Sequence, residues 1–244
     1  MATPSVVNSY ESLFSSSGPG AIAVASATDG NLMVVGIGQR NDSPRTFATT
    51  DDETSPANSY SAAVTQQGNT NRCAAIHYAK NINGWASSQN VTVTPTGGTT
   101  NWSTVIQEVA NCSTTSPADT TGSNVDTTNG TSHDAASPAI NTTTDVYVMC
   151  VFVFTAGAGA IGTGSYTDIY SGANAQHHAQ SRVSASALTS ETGSCTSGSS
   201  VQGVHCMASF KADAAGGAAA RIWQLAPSYS SPTVAGNIHE ICTA

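Results

Sequence analysis

Apolar and polar residues alternate along most of the chain with a period of two, and almost nowhere with the 3.6-residue period of a helix. In "AIAVASAT" (residues 21–28) Ile22 and Val24 share one side; Asp29-Gly30 follows as a turn dipeptide, and "NLMVVGIG" runs on as a second strand. "SYSAAVTQQ" and "RCAAIHYAKN" flank a Gly/Asn turn at residues 68–71. In the second of them Cys73, Ala75 and His77 oppose Ala74, Ile76 and Tyr78. "NVTVTPT" places Val91 and Val93 inward and Thr92 and Thr94 outward. "NWSTVIQEVAN" (residues 101–111) has the length of a short helix, but its β-branched content and its neighbours predict a strand.

The pattern then lapses. Residues 111–144 are dense in turn residues and hold no apolar period, which predicts loops around at most one short strand. "DVYVMCVFVFT" (residues 145–155) is the strongest strand signal in the chain. Val146, Val148, Cys150, Phe152 and Phe154 form one face; Tyr147, Met149, Val151 and Val153 form the other. A strand apolar on both faces is sandwiched inside a fold or covered by another subunit. The Gly-rich "AGAGAIGTGSY", then "AQHHAQSRVSASAL", the turn cluster "TSETGSCTSGSS" and "VQGVHCMASFKA" complete the series. The reading is all-β: an antiparallel β-sandwich, jelly-roll-like, of about nine to eleven strands over residues 1–212.

After that the character changes. "ADAAGGAAA" is a small-residue linker, and the remainder carries scattered large anchors: Ile222, Trp223, Leu225, Ile238 and Ile241. Residues 213–244 read as a C-terminal extension that packs on a neighbouring subunit, with those five residues as the contact candidates.

Composition narrows the class. Charged residues make up 9% of the 244 residues, against roughly 25% in ordinary soluble domains. Seven Lys+Arg against fifteen Asp+Glu leave a net charge of -8 without a basic patch. Nucleic acid is therefore not an expected partner, because phosphate backbones are bound through clustered Lys and Arg. No window approaches 18 apolar residues, so no membrane span is expected. "MATPSVVNSYESLF" lacks the basic and apolar regions of a signal peptide. Synthesis in a cytoplasm is the expectation. Six cysteines lie scattered with no CxxC pair, unlike a zinc ribbon or a disulfide scaffold. Cys73, Cys150 and Cys206 lie in apolar runs and read as small buried hydrophobes. Cys112 and Cys195 lie in Ser/Thr-rich turns and form a candidate disulfide.

Candidate chemistry is sparse. "VVGIGQRN" invites comparison with a dinucleotide loop, but the third glycine position is Asn41 and no amphipathic helix follows. Gly36 and Gly38 are instead expected at a bulge, or where another backbone passes closely. The His177-His178 pair points to opposite faces of a strand, so the two rings cannot share a metal without a bulge. His77 and His205 sit inside strands as structural histidines. The acidic turn of Asp51, Asp52 and Glu53 lacks calcium-loop spacing and reads as a solvated turn. There is no G-x-S-x-G elbow, and no Ser or Cys stands beside a base in a recognisable pattern. No pair of carboxylates can be nominated for glycoside hydrolysis. Trp85, Trp102 and Trp223 read as core or interface anchors, with sugar stacking as the other use of such rings. No catalytic residue, cofactor or metal ligand is assigned.

The order of segments carries a resemblance. "AVASATDGNLMVVGIGQRND", "CAAIHYAKNINGW", "NVTVTPTGGTTNWSTVIQEV", "ASPAINTTTDVYVMCVFVF" and the closing "VHCMASFKA" are similar to a β-sandwich (jelly-roll-like) domain of minor structural proteins in tailed bacteriophages and prophages. The resemblance covers roughly residues 4–212. It implies a non-enzymatic virion component, capsid decoration or cement, whose partners are other virion proteins and copies of itself. The alternative is a glycan-binding or adhesive module of a phage tail, fibre or cell-surface appendage. A secreted hydrolase is the least supported.

Overall fold

The alternation translates into strands that stack in layers. A computed structural model describes residues 2–14, 18–40, 46–54, 56–68, 71–96, 101–157, 161–171 and 176–214. Fourteen strands and no helix occur among them, more strands than the nine to eleven expected. All strand pairs are antiparallel. The arm anchors Ile222, Trp223, Leu225, Ile238 and Ile241 lie outside the described residues.

A five-stranded sheet runs in the order β1 (Ser5–Phe14), β8 (Asn101–Ala110), β3 (Leu32–Arg40), β6 (Cys73–Ala79), β5 (Tyr60–Gln67). A six-stranded sheet contains β11 (Ile161–Gly162), β14 (Ser194–Lys211), β10 (Val146–Phe154), β13 (His177–Ser184) and β12 (Thr167–Ser171), with β9 (Ala118–Asp134) also paired to β14. A third sheet joins β2 (Gly20–Val24), β7 (Gln89–Pro95) and β4 (Phe47–Asp51).

Side-chain parity assigns each face to a layer. Leu32 and Val34 of β3, Ala74 and Ile76 of β6, and Val105 and Val109 of β8 meet the odd-numbered face of β10 (Tyr147, Met149, Val151, Val153) in one core. The opposite parity of the same strands, Met33, Val35, Ile37, Ala75 and Ile106, meets Ile22, Val24, Val91 and Val93 of the three-stranded sheet in a second. The even-numbered face of β10 forms a third with Met207, Val201 and Cys195, covered by Ala135, Ala136, Ile140 and Leu188. The two apolar faces of β10 are thus both occupied within the chain, as one of the two readings of that segment required. The segment β3 is likewise buried on both faces, and its glycines serve that packing. It pairs with β6 and β8 without a register shift, so no bulge is present. A Cβ on Gly36 would lie 2.8 Å from Val105 Cγ2, 2.9 Å from Val151 Cγ2 and 3.0 Å from Met149 Sδ. The close approach is therefore by side chains of β8 and β10, not by a passing backbone. Gly36→Val should destabilise the fold by about 1–3 kcal/mol through overpacking, read as a lower urea midpoint at unchanged slope.

The segment read as loops contains the largest departure. Residues 118–134 form β9, which pairs with β14 across Phe210↔Ala118 to Ser194↔Asp134. Its side chains are mostly half-buried or exposed, so backbone hydrogen bonds hold it where apolar burial does not.

Candidate functional site

The residues singled out from sequence are mostly structural. Trp85 and Trp102 are core residues, and neither offers an open face for a sugar; Trp223 lies outside the described residues. Asp51 accepts hydrogen bonds from Asn58 Nδ2 (2.9 Å) and Tyr60 OH (3.0 Å). Asp52 accepts from the Asn90 backbone and side-chain amides, and Glu53 from Gln89 Nε2. The acidic turn is thus exposed to half-exposed, as a solvated turn should be, and also tied to β5 and β7 by hydrogen bonds. His77 holds Thr49 Oγ1 at 2.8 Å through Nδ1. His177 and His178 do point to opposite faces, the first toward Gly38 and the second against Phe152.

The proposed Cys112–Cys195 disulfide is not formed: both thiols are free and buried. Cys112 bridges to Ala212 beyond the end of β14, whereas Cys195 lies at its start, opposite His133. Sixteen positions of strand separate those ends, far beyond the roughly 7 Å between Cα atoms that a disulfide allows. Burial pushes the Cys112 thiol up to about 12, with the Asp213 charge adding to it, so it stays protonated and unreactive.

What the sequence did not reveal is a convergence on the β9–β14 ribbon. Asp126 and His133 are seven residues apart on β9, a separation of roughly 23 Å on a regular strand and an odd one that would turn them to opposite faces. Register shifts between Thr196 and Val201, and between Val201 and Gly203, interrupt the ribbon between them. As a result His133 Nδ1 lies 2.6 Å from Asp126 Oδ2, and His205 Nε2 from β14 lies 2.9 Å from the same oxygen. Asn124 Nδ2 donates to the other oxygen, Oδ1, at 2.9 Å. His133 Nε2 lies 2.9 Å from Ser197 Oγ, which donates to the Ser199 carbonyl at 2.8 Å.

The surroundings are apolar on one side and open on the other. Phe152 and Phe154 flank His205 at ring-centre distances of 5.0 and 5.4 Å, and Phe154 stands 4.9 Å from His133. Both imidazole side chains are fully buried, while Asp126 keeps 19% of its side-chain surface. It faces a cavity of about 210 Å³ lined also by Arg72, Thr127, Gln202 and Gly203. The Arg72 guanidinium donates from Nε to the Phe154 carbonyl (3.1 Å) and from a terminal nitrogen to the Thr155 carbonyl (3.4 Å). Burial lowers the His205 pKa, and the attraction of Asp126 does not cancel it, so the ring is neutral at pH 7. His205 is therefore not the satisfied structural histidine expected of it, since its Nδ1 is buried without a hydrogen-bond partner.

Asp126, His133 and Ser197 share the connectivity of an acid–base relay, but the orientation is inverted. In a hydrolytic triad the hydroxyl faces the substrate and the carboxylate stands behind the imidazole. Here the carboxylate lines the cavity, and Ser197 is not among the lining residues. The serine is buried at the far end with its proton engaged by the Ser199 carbonyl. Ser197 is thus not placed as a nucleophile. Comparison of the chain with protein-family models, with curated proteins and with solved structures finds no match.

Proposed function

We propose that the chain is a non-enzymatic structural component of a bacteriophage particle, decorating or cementing its capsid through contacts with copies of itself and with other virion proteins. The observation that carries the reading is the outer edge of β1. Among the described residues no strand pairs with it, and its ten residues include one charge, Glu11, and neither lysine nor proline. Val6, Val7 and Leu13 are exposed. Monomeric proteins guard such edges with charges, proline or bulges, and the single register shift, at Val7, lies near the strand's start. The long remainder suits a neighbour in an assembly. The series of segments similar to phage structural sandwiches, and a surface poor in charge, support the same reading. The glycan-binding alternative draws no support from the buried Trp85 and Trp102.

In this reading residues 213–244 add a second contact through Ile222, Trp223, Leu225, Ile238 and Ile241. Light scattering of the full chain should give an oligomer, and the chain should co-sediment with phage particles. Removing residues 213–244 should abolish particle binding while the β-domain keeps its far-ultraviolet circular dichroism. A stable monomer that binds no particle would overturn the proposal, and binding retained after the truncation would remove the arm from it.

A further inference from the structure

The polarity of hydrogen bonds around His133 leaves a gap that a cation fills. Ser197 Oγ has a single proton, and the Ser199 carbonyl at 2.8 Å can only accept it. The Ser197 oxygen then accepts from His133, which places a proton on Nε2. In the neutral ring this leaves Nδ1 as a bare lone pair aimed at the anionic Asp126 Oδ2 only 2.6 Å away. Two lone pairs at that distance repel unless something positive lies between them. A metal ion bound to both atoms supplies that charge, the two donors moving apart by about 0.7 Å to the separation a tetrahedral ion sets.

The rest of the geometry favours the metal. The Nε2 atom of His205 converges on the same Oδ2, and the three donor atoms lie within 4.8 Å of one another. Outer hydrogen bonds orient two of the three ligands. Asn124 holds the Oδ1 of Asp126 and leaves Oδ2 for an ion; Ser197 holds His133 in the tautomer with Nδ1 free. Position 203 must be glycine, because a Cβ there would fall 2.5 Å from His205 Nε2. The cavity is lined by Asp126 alone of the three ligands, so water reaches the site from the carboxylate side.

We infer that Asp126 Oδ2, His133 Nδ1 and His205 Nε2 bind a divalent first-row transition ion, with water completing the shell from the cavity. Two imidazole nitrogens and one carboxylate oxygen suit zinc and cobalt(II) better than calcium or magnesium, which take oxygen donors. The ion would clamp the two strands where their ladder is interrupted. The site stands independently of any role in a particle.

The test uses the full chain, stripped with a chelator and titrated with zinc in calorimetry, with metal counted after gel filtration. One zinc per chain is expected, together with a higher melting temperature. Cobalt(II) should give visible d–d absorption without the intense near-ultraviolet band of thiolate ligation, a readout that needs no variant. Asp126→Asn and His133→Gln, each checked for folding by circular dichroism, should weaken zinc binding at least about tenfold. No zinc uptake by the wild-type chain, a thiolate band with cobalt, or unchanged affinity in the folded variants would each overturn the assignment.

Discussion

Lowering the pH from 7.5 to 5 should cost the folded chain about 4 kcal/mol, through two buried histidines that remain neutral in the fold. Burial lowers His77 to about 4. Burial, with a smaller push from the Arg40 charge, lowers His177 to about 3. A depressed histidine pKa means that the unfolded chain takes up the proton first. The contribution of each ring is complete above the unfolded value near 6.5. It is lost as pH falls toward 4 for His77 and toward 3 for His177. Each proton taken up by the unfolded state costs about 1.4 kcal/mol per pH unit, so the 1.5 units from 6.5 to 5 come to roughly 2 kcal/mol per ring. Urea titrations at both pH values would read this as a drop in midpoint, and His77→Gln should shrink the loss by about 2 kcal/mol. A midpoint independent of pH would show that both rings carry charge in the folded state.

Replacing Trp102 by alanine should lower stability by about 3–5 kcal/mol, a large part of the 5–15 kcal/mol typical of a folded domain. The indole is fully buried in the layer between the five-stranded and three-stranded sheets. It stacks on Phe14 at 4.3 Å and stands 6.2 Å from Phe47, so it joins β8 to the end of β1 and to β4. Its far edge fills the space over Gly20, where a Cβ would come within 2.5 Å of the ring. Thermal unfolding should shift down by roughly 10–15 °C for a chain of this size. A loss under about 1 kcal/mol would mean that the layer repacks freely.

The strands that carry the cores were legible because their apolar residues follow the pleat. Val91 and Val93 point inward with Thr92 between them, and the two-faced run 146–154 lies between two cores as its composition required. The third layer was harder to see. It is implied by "NLMVVGIG", where Met33 and Val35 are as apolar as Leu32 and Val34, but two apolar parities do not say what covers them. The strand β9 was illegible for a physical reason. Thr, Ser, Asn and Gly fill it, and its stabilising contacts are backbone hydrogen bonds to β14 that leave no mark on side-chain pattern. The candidate site shares that obscurity. Asp126, His133 and His205 meet through strand pairing and two register shifts, neither of which spacing along the chain records. Glu108 is a further case. Within "VIQEV" it is fully buried and accepts from Asn8 Nδ2, the Thr28 amide and Asn31 Nδ2, partners 77 to 100 residues away.

The full burial of β10 has a consequence for how its neighbours find their alignment. Along a strand with one wet face, a slip of one residue would drive apolar groups into water, and polarity forbids it. On β10 the same slip exposes nothing, since both faces are covered. Size must forbid it instead. The small valines at 151 and 153 face the glycines at 36 and 38, while the Phe152 and Phe154 rings turn the other way into the third core. A shift by one would press phenyl rings onto those two glycines. Along this strand the alignment is written in volumes, and Gly36 and Gly38 are the notches into which it keys.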